Sequence, residues 1–216
     1  NDARTAFQAR GETYPPSSPL AHLARTLVAT GCVRFGEFRL KSGVLSPIYM
    51  DLRRLVTYPA ALRQVARAYA DRLRELRFDR LAGIPYAALP IATAISLEMN
   101  RPLIYPRREA KEYGTRATVE GEFTPGETIA VIDDLTTTGG SKFEAIEKLE
   151  AAGLVVRDVV VLIDRMQGAR ETLAAAGYQL HTVATLPALL DEWQRQGAIT
   201  SAQHAAVTDF LQQAQG

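Results

Sequence analysis

The amino-acid sequence predicts an α/β fold, in which helices flank a mostly parallel central sheet and a small N-terminal subregion of short strands comes first. The main observation is that apolar runs of strand length alternate with segments of helical periodicity from about residue 59 onward. The run from Thr128 to Ile132 is continuous rather than alternating, which is typical of a strand buried on both faces of a sheet. Strands and helices that alternate over short links favour right-handed crossovers between parallel strands.

Composition and charge limit the class of protein. With 216 residues, 47% of them hydrophobic, the chain can bury the core of one globular domain. The formal net charge is +1 and charges of both signs are intermixed, so no basic stripe indicates a nucleic-acid partner. Cys32 is the only cysteine, which excludes an internal disulfide and a cysteine-rich zinc site. No apolar run reaches the roughly 18 residues of a membrane span and no signal-peptide pattern is present, so we expect a cytoplasmic protein without a membrane partner.

The beginning of the chain is expected to be a flexible segment followed by a small strand-rich subregion. Residues 1–19 are rich in Pro, Gly and Ser, a composition that favours extended and mobile chain. Residues 20–29 have helical periodicity. Short runs at 35–40 and 48–52 have the spacing of strands, so residues from about 20 to 58 form a leading subregion.

The rest of the chain is predicted to complete a single domain over residues 20–216, with a core at about 59–184 and C-terminal helices within 185–214. Strands are expected at 80–84, 103–105, 128–132, 155–163 and 179–184, and helices at 59–76, 89–99, 141–152 and 169–176. The C-terminal helices carry apolar side chains at a spacing typical of packing rather than of catalysis, at Leu186, Leu189, Leu190 and Trp193. The same side chains could equally help to form a subunit interface.

One stretch, IAVIDDLTTTGGS at residues 129–141, combines carboxylates with an anion-binding pattern. Asp133 and Asp134 follow the apolar run, at the carboxyl end of the predicted strand, where open α/β sheets place their ligands. Residues 135–140 then lead into a helix, so backbone amides and the helix N-terminus converge in an arrangement that binds phosphate. Adjacent carboxylates would repel a diphosphate but can accept hydrogen bonds from ribose hydroxyls, so the pattern fits a ribose 5-phosphate. The alternative is an ordinary helix cap made by Asp and Thr side chains.

The acid pair followed by Thr and Gly resembles the 5-phosphoribosyl 1-diphosphate (PRPP) loop of type I phosphoribosyltransferases. Residues 38–53, 83–90, 107–114 and 163–168 resemble orotate phosphoribosyltransferases, in the same order along the chain. The resemblance covers the chain from roughly residue 20 to its end. It implies the type I phosphoribosyltransferase fold, in which the leading subregion, called the hood from here on, lies over the base.

The resemblance also implies roles for individual residues. Catalytic roles fall to Lys111 and Asp134. The residues implied to bind PRPP are Pro85, Tyr86, Arg107, Arg108, Lys111, Tyr113, Asp133, Asp134, Leu135, Thr136, Thr137, Thr138, Gly139, Gly140 and Ser141. The residues implied to bind orotate are Lys41, Ser46, Pro47, Ile48, Tyr49, Thr137 and Arg165.

The chemistry of orotate is consistent with these residues. Its planar ring carries a carboxylate, so the pocket needs a cation, amide donors and an apolar or aromatic wall. Lys41 and Arg165 could supply the cations. Taken alone, Lys41 is equally explained as a surface lysine at a strand end, and Arg165 as an ion-pair partner of Asp164 or Glu171.

The polar, basic segment at residues 107–116 is predicted to be a mobile loop, and a solvated surface connection is the plain interpretation of its composition. A transferase whose reaction releases diphosphate needs cations on a closing lid, which neutralise the leaving group and exclude water. The resemblance implies that this loop reaches the active site of a neighbouring subunit. Tyr113 stands where many bacterial relatives have histidine, and Gly140 stands where Thr or Ser is frequent.

The function implied is the transfer of ribose 5-phosphate from PRPP to N1 of orotate, giving orotidine 5′-monophosphate and diphosphate. Mg²⁺ is expected as the cofactor, carried by PRPP with no direct protein ligand. The expected partners are the two small-molecule substrates and a second copy of the chain that shares the active sites, and orotidylate decarboxylase is a candidate. The alternatives are a regulator that keeps the fold, and a purine or uracil phosphoribosyltransferase.

Overall fold

The computed structural model describes residues 18–39, 43–108 and 118–213. Its helices are α1 (Pro19–Ala29), α2 (Pro59–Leu73), α3 (Ala88–Met99), α4 (Gly140–Ala151), α5 (Ala169–Ala175), α6 (Leu186–Arg195) and α7 (Ser201–Gln213), with a 3₁₀ helix at Leu52–Thr57. Its strands are β1 (Val33–Arg39), β2 (Leu45–Met50), β3 (Arg80–Gly83), β4 (Leu103–Pro106), β5 (Val119–Glu120), β6 (Thr128–Thr136), β7 (Val155–Asp164) and β8 (Gln179–Thr185).

The main sheet has the strand order β5-β4-β3-β6-β7-β8. β4, β3, β6, β7 and β8 run parallel to their neighbours, which confirms the predicted parallel core. The edge strand β5 pairs antiparallel with β4 and was not predicted, because two residues are too few to show a periodic pattern.

Hydrophobic side chains fill the space on both faces of this sheet. Ala130 and Ile132 of β6 pack on the side of α2 and the C-terminal helices, whereas Ile129 and Val131 pack on the side of α4 and α5. All four side chains are completely buried, so the continuous apolar run does mark a central strand.

The hood packs on the C-terminal helices. β1 and β2 form an antiparallel hairpin outside the main sheet. The ring of Phe35 lies edge-on to that of Trp193, with 5.3 Å between the centroids. The indole Nε1 of Trp193 donates to the carbonyl oxygen of Ala24 in α1 at 2.7 Å. Leu186, Leu189 and Trp193 are fully buried, which confirms packing as the role of these helices.

Some predicted boundaries were wrong. The strand predicted at 128–132 continues to Thr136, because β7 offers a long partner and pairs with β6 as far as Asp164. Asp133 and Asp134 therefore lie within the strand and not after it. The second hood strand begins at Leu45 and ends at Met50, earlier than predicted. Among the described helices, none combines the length and apolar character needed to cross a bilayer.

Candidate active site

The candidate site lies where the strand order of the sheet reverses. From β3 the chain first adds β4 on one side and later adds β6 on the other. Open α/β sheets bind ligands in the crevice at the carboxyl ends of such strands. Gly83 ends β3 here, and a Cβ at this position would lie 2.9 Å from the Cβ of Ala92. Glycine therefore lets α3 pack closely against the end of β3.

A cavity of about 280 Å³ opens at this crevice. The peptide bond between Pro85 and Tyr86, on its wall, is cis. The sequence-predicted residues that line the cavity are Pro85, Tyr86, Arg107, Arg108, Asp133, Asp134 and Ser141. Glu144 and Lys148 of α4 also line it and were not predicted. Residues from three separate parts of the sequence thus meet in one concavity.

The two adjacent carboxylates have different surroundings. Asp133 is buried, and its Oδ2 lies 2.7 Å from the Nζ of Lys142. Its Oδ1 accepts a hydrogen bond from the backbone amide of Asp134 at 2.9 Å. Asp134 is half-buried, and desolvation together with the charge of Asp133 raises the pKa of Asp134 to about 7. Of the pair, Asp134 is the carboxylate that is left for a ligand.

Within the described part of the chain, the connection that follows β6 leaves polar groups without partners at the start of α4. Gly139 has φ +87° and precedes α4 as its N-cap residue, without a side-chain cap. The alternative of a helix cap made by Asp or Thr is therefore wrong for this helix. The hydroxyl of Thr136 is buried and has no hydrogen-bond partner among the described residues. Of the predicted loop residues, Leu135 and Thr136 end β6, Thr137, Thr138 and Gly139 form the connection, and Gly140 begins α4.

The described residues on either side of the predicted lid are tied together. The backbone amide of Arg107 donates to the carbonyl of Thr118 at 2.8 Å, and its guanidinium lies 2.6 Å from the carboxylate of Glu120. The Nζ of Lys148 donates to the carbonyls of Arg107 and Arg108 at 3.0 and 3.2 Å. Lys111 and Tyr113, in the segment 109–117, lie outside the described residues.

The residues predicted for the base are spread over the hood and the end of β7. The hydroxyl of Ser46 donates to the carbonyl of Ile48 at 2.7 Å, and the side chain of Ile48 is in the core. These two residues could therefore contact a base only through their backbone, whereas Pro47 between them is half-buried. Tyr49 stacks with Phe38 on the hairpin, at 5.5 Å between centroids. Lys41 lies outside the described residues.

Arg165 follows β7 directly beside the phosphate loop. Its backbone amide donates to the carbonyl of Thr136 at 3.0 Å. The side-chain Nε is buried and has no partner among the described residues, and desolvation lowers the pKa of the guanidinium. Asp164 instead accepts a hydrogen bond from the backbone amide of Met166. The alternative of an ion pair with Asp164 or Glu171 is therefore wrong, and Arg165 has donors to offer to an anion.

Sequence reasoning missed two lysines of this site. Lys142 was not considered, although a cation in the first turn of a helix opposes the helix dipole and needs a specific reason. Lys148 is four residues after Glu144, a spacing that normally indicates a solvated pair on a helix surface. Only the structure shows that Lys148 reaches the chain on the far side of the cavity.

A family model described as a phosphoribosyl transferase domain matches residues 52–177, more than half of the chain, so this is the class of domain that fold and site define. An orotate phosphoribosyltransferase of Pyrococcus abyssi is 38% identical over 171 residues, which are 78% of this chain and 94% of that protein. The chain belongs to the orotate phosphoribosyltransferase family.

Two further relatives are longer than this chain. The bifunctional enzyme PyrF/PyrE of Nostoc sp. is 42% identical over 88% of this chain, and the match spans 40% of the Nostoc protein. The structure of Leishmania donovani UMP synthase superimposes with a TM-score of 0.81 and 56% identity, over 89% of this chain and 42% of that one. The chain thus spans about two fifths of these two relatives.

Proposed function

We propose that the chain transfers ribose 5-phosphate from PRPP to N1 of orotate. The carrying observation is the cavity at the switch point, where the acid pair, Ser141 at the start of α4 and the arginines 107 and 108 meet. In the reaction, the bond between C1 of the ribose and the diphosphate oxygen breaks, a bond from N1 of orotate to C1 forms, and diphosphate leaves. N1 gives up its proton in the course of the transfer.

Each part of PRPP has a partner of suitable chemistry in this cavity or beside it. The amides of the loop from Thr136 to Ser141 would hold the 5-phosphate, as helix N-termini and backbone nests do. The carboxylate of Asp134 would accept hydrogen bonds from the ribose hydroxyls and so orient C1. Arg107 and Arg108 would bind the diphosphate and offset the charge that develops on it as it leaves. By resemblance, Lys111 and Tyr113 would join them from the lid.

The base would lie between the hood and the end of β7. Arg165 supplies buried guanidinium donors beside the loop, and Lys41 a second cation by resemblance. Thr137 and the backbone of residues 46–49 would complete the pocket, with Tyr49 as an aromatic wall. Recognition of a carboxylate by these cations is what favours orotate over uracil or a purine.

A magnesium ion fits this site as a companion of the substrate. Among the described residues, no group of three or more His, Cys, Asp or Glu side chains could hold a metal. Asp133 is engaged by Lys142 and Asp134 is assigned to the ribose hydroxyls, so the ligands of the ion would be PRPP oxygens and water. When bound, the ion would neutralise part of the diphosphate charge.

We further propose that two copies of the chain share their active sites, each lid serving its neighbour. Orotidylate decarboxylase is a candidate partner. The bifunctional PyrF/PyrE enzyme and the UMP synthase support this proposal as longer proteins in which a domain like this one is part of a larger chain.

One assay tests the reaction. The protein is mixed with PRPP, Mg²⁺ and either orotate, uracil or hypoxanthine, and the loss of each base is followed, with a reaction lacking Mg²⁺ alongside. We expect consumption of orotate alone, and only with Mg²⁺. Consumption of uracil or hypoxanthine but not orotate would show a different base specificity, and no consumption of any base would favour a regulator that keeps the fold.

A further inference from the structure

Lys142 is a buried lysine that the proposed reaction does not use. It is the third residue of α4, and its side chain is 3% exposed. A cation is disfavoured in the first turn of a helix by the helix dipole, and burying an ammonium is unfavourable unless it is paired. Its position next to a phosphate loop therefore calls for a specific interaction.

The contacts of Lys142 use all of its hydrogen-bonding capacity. Its Nζ lies 2.7 Å from the Oδ2 of Asp133, and donates to the carbonyl of Leu135 at 2.7 Å and to the hydroxyl of Ser141 at 3.2 Å. An ammonium has three donors, and these three acceptors match them. Asp133 and Lys142 thus neutralise each other inside the protein, one at the end of β6 and the other at the start of α4.

This pairing changes the charge that a phosphate in the loop would meet. The loop residues 135–141 lie between Asp133 and Lys142 along the chain, so an anion bound there is near both. With Lys142 present, Asp134 is the only carboxylate of the pair that lacks a cationic partner. Because the hydroxyl of Ser141 accepts from Lys142, its own hydrogen remains available to donate to a phosphate oxygen.

We propose that Lys142 is a positioning residue whose charge makes the acid pair compatible with phosphate binding. It holds Asp133 inward, cancels the charge of that carboxylate, and leaves Asp134 to the ribose. The proposal rests on the proposed function in one respect, that the anion in the loop is the phosphate of a ribose 5-phosphate group.

The test measures binding of ribose 5-phosphate, which requires no base and no turnover. The variants are Lys142→Met, Asp133→Asn and the double variant, with Glu147→Gln as a charge-changing control at an exposed position of α4. We expect Lys142→Met to weaken binding at least roughly tenfold, because one uncompensated charge then faces the phosphate in a partly buried site. Asp133→Asn should tighten binding. The affinities of the double variant and of the control should both lie within about threefold of the wild-type value.

Several outcomes would overturn the proposal. If Lys142→Met binds like the wild type, the counter-charge is not needed. If the double variant binds as weakly as Lys142→Met, the lysine acts through packing and not through charge. If Asp133→Asn weakens binding, Asp133 itself holds the ribose. Should Lys142→Met fail to fold, the proposal is still decided by the binding of Asp133→Asn and of the double variant. The orotate assay tests the proposed function separately, since the binding pattern can hold in a protein that consumes no orotate.

Discussion

Asp133 and Asp134 are neighbours along the chain, but their side chains have different partners. Asp133 is bonded to Lys142 and to a backbone amide. Asp134 lines the cavity, and its raised pKa of about 7 means that the carboxylate loses its proton near neutral pH in the free protein. Ribose hydroxyls donate best to the ionised form, so under the proposed function binding of the substrate and loss of this proton are coupled.

The affinity for PRPP should therefore fall as the pH drops below about 7. The phosphates of the ligand titrate in a similar range, so the comparison needs Asp134→Asn, in which only the ligand titrates. We expect the wild type to lose more affinity than this variant between pH 8 and pH 6, measured by calorimetry. If the affinities of the wild type and of Asp134→Asn change with pH by the same factor, Asp134 does not lose a proton on binding.

The same pKa has a consequence for the stability of the free protein. A carboxyl whose folded-state pKa is raised favours folding below its ordinary value and loses that contribution as the pH rises through the raised value. Asp134→Asn should thus become more stable relative to the wild type as the pH rises from 5 to 8, by roughly 1–3 kcal/mol after allowance for partial exposure. Thermal unfolding across this range measures the difference, and a constant difference would contradict the shift.

Serine should be tolerated at Gly140 but should destabilise the protein at the adjacent Gly139. Around Gly140 no atom lies within 4 Å of a built Cβ, so Gly140→Ser should fold normally and add a hydroxyl near the phosphate. We expect the KM for PRPP to fall a few-fold. Gly139→Ser is the matched control, because φ +87° is strained for serine and should cost roughly 1–3 kcal/mol in unfolding free energy. Equal changes in unfolding free energy and in KM for the two variants would contradict this account.

At the scale of elements, the base of the predicted lid is built from β4, β5 and α4. A backbone hydrogen bond joins Arg107 to Thr118, and Lys148 of α4 holds the carbonyls of Arg107 and Arg108. The guanidinium of Arg108 lies 5.5 Å from the ring centroid of Tyr86. The arginines proposed for the diphosphate are thus positioned by contacts from three sides.

Lys148→Met should loosen this base without unfolding the protein. Loss of its hydrogen bonds should lower kcat/KM for PRPP about tenfold, a typical effect of one to two net hydrogen bonds. Steady-state kinetics measure the loss, and thermal unfolding checks the fold. Glu144→Gln keeps the bonds from Lys148 to the carbonyls, so it should have a smaller effect; an equal loss would show that those bonds are not the cause.

The sequence predicted those elements that carry a periodic pattern or a special turn residue. The run before Asp133 and the Thr and Gly residues after it correctly predicted a turn between a central strand and a helix. The sequence could not predict the roles of Lys142 and Lys148, because their partners lie on other elements and a lysine on a helix is usually solvated. β5 was missed because its pairing with β4, not its own residues, defines it.

At the scale of the whole molecule, the hood and the C-terminal helices share one hydrophobic core with the sheet. Buried residues of α1, β1, α2 and α6 belong to the same cluster. Trp193 links them, since it packs on Phe35 and donates to Ala24. The hood is therefore expected to unfold with the core and not before it.

Substitution of Trp193 tests this coupling. Trp193→Phe should lose about 1–2 kcal/mol of unfolding free energy, mainly the hydrogen bond, and Trp193→Ala about 3–5 kcal/mol because of the cavity it leaves. Denaturant unfolding followed by both far-UV circular dichroism and a fluorophore on the hood should give one coincident transition. Separate transitions would show that the hood is an independent unit.

The buried pair of Asp133 and Lys142 also constrains how this sequence can evolve. A lineage that replaces the lysine first keeps a carboxylate that repels the phosphate, and one that replaces the aspartate first keeps a buried ammonium without its counter-charge. The first step is disfavoured through phosphate binding and the second through folding stability, whereas the two changes together are tolerated. Among relatives, a neutral residue at the position of Lys142 should therefore occur together with a compensating change near Asp133, and a library of all paired substitutions at the two positions would show this dependence as strong epistasis.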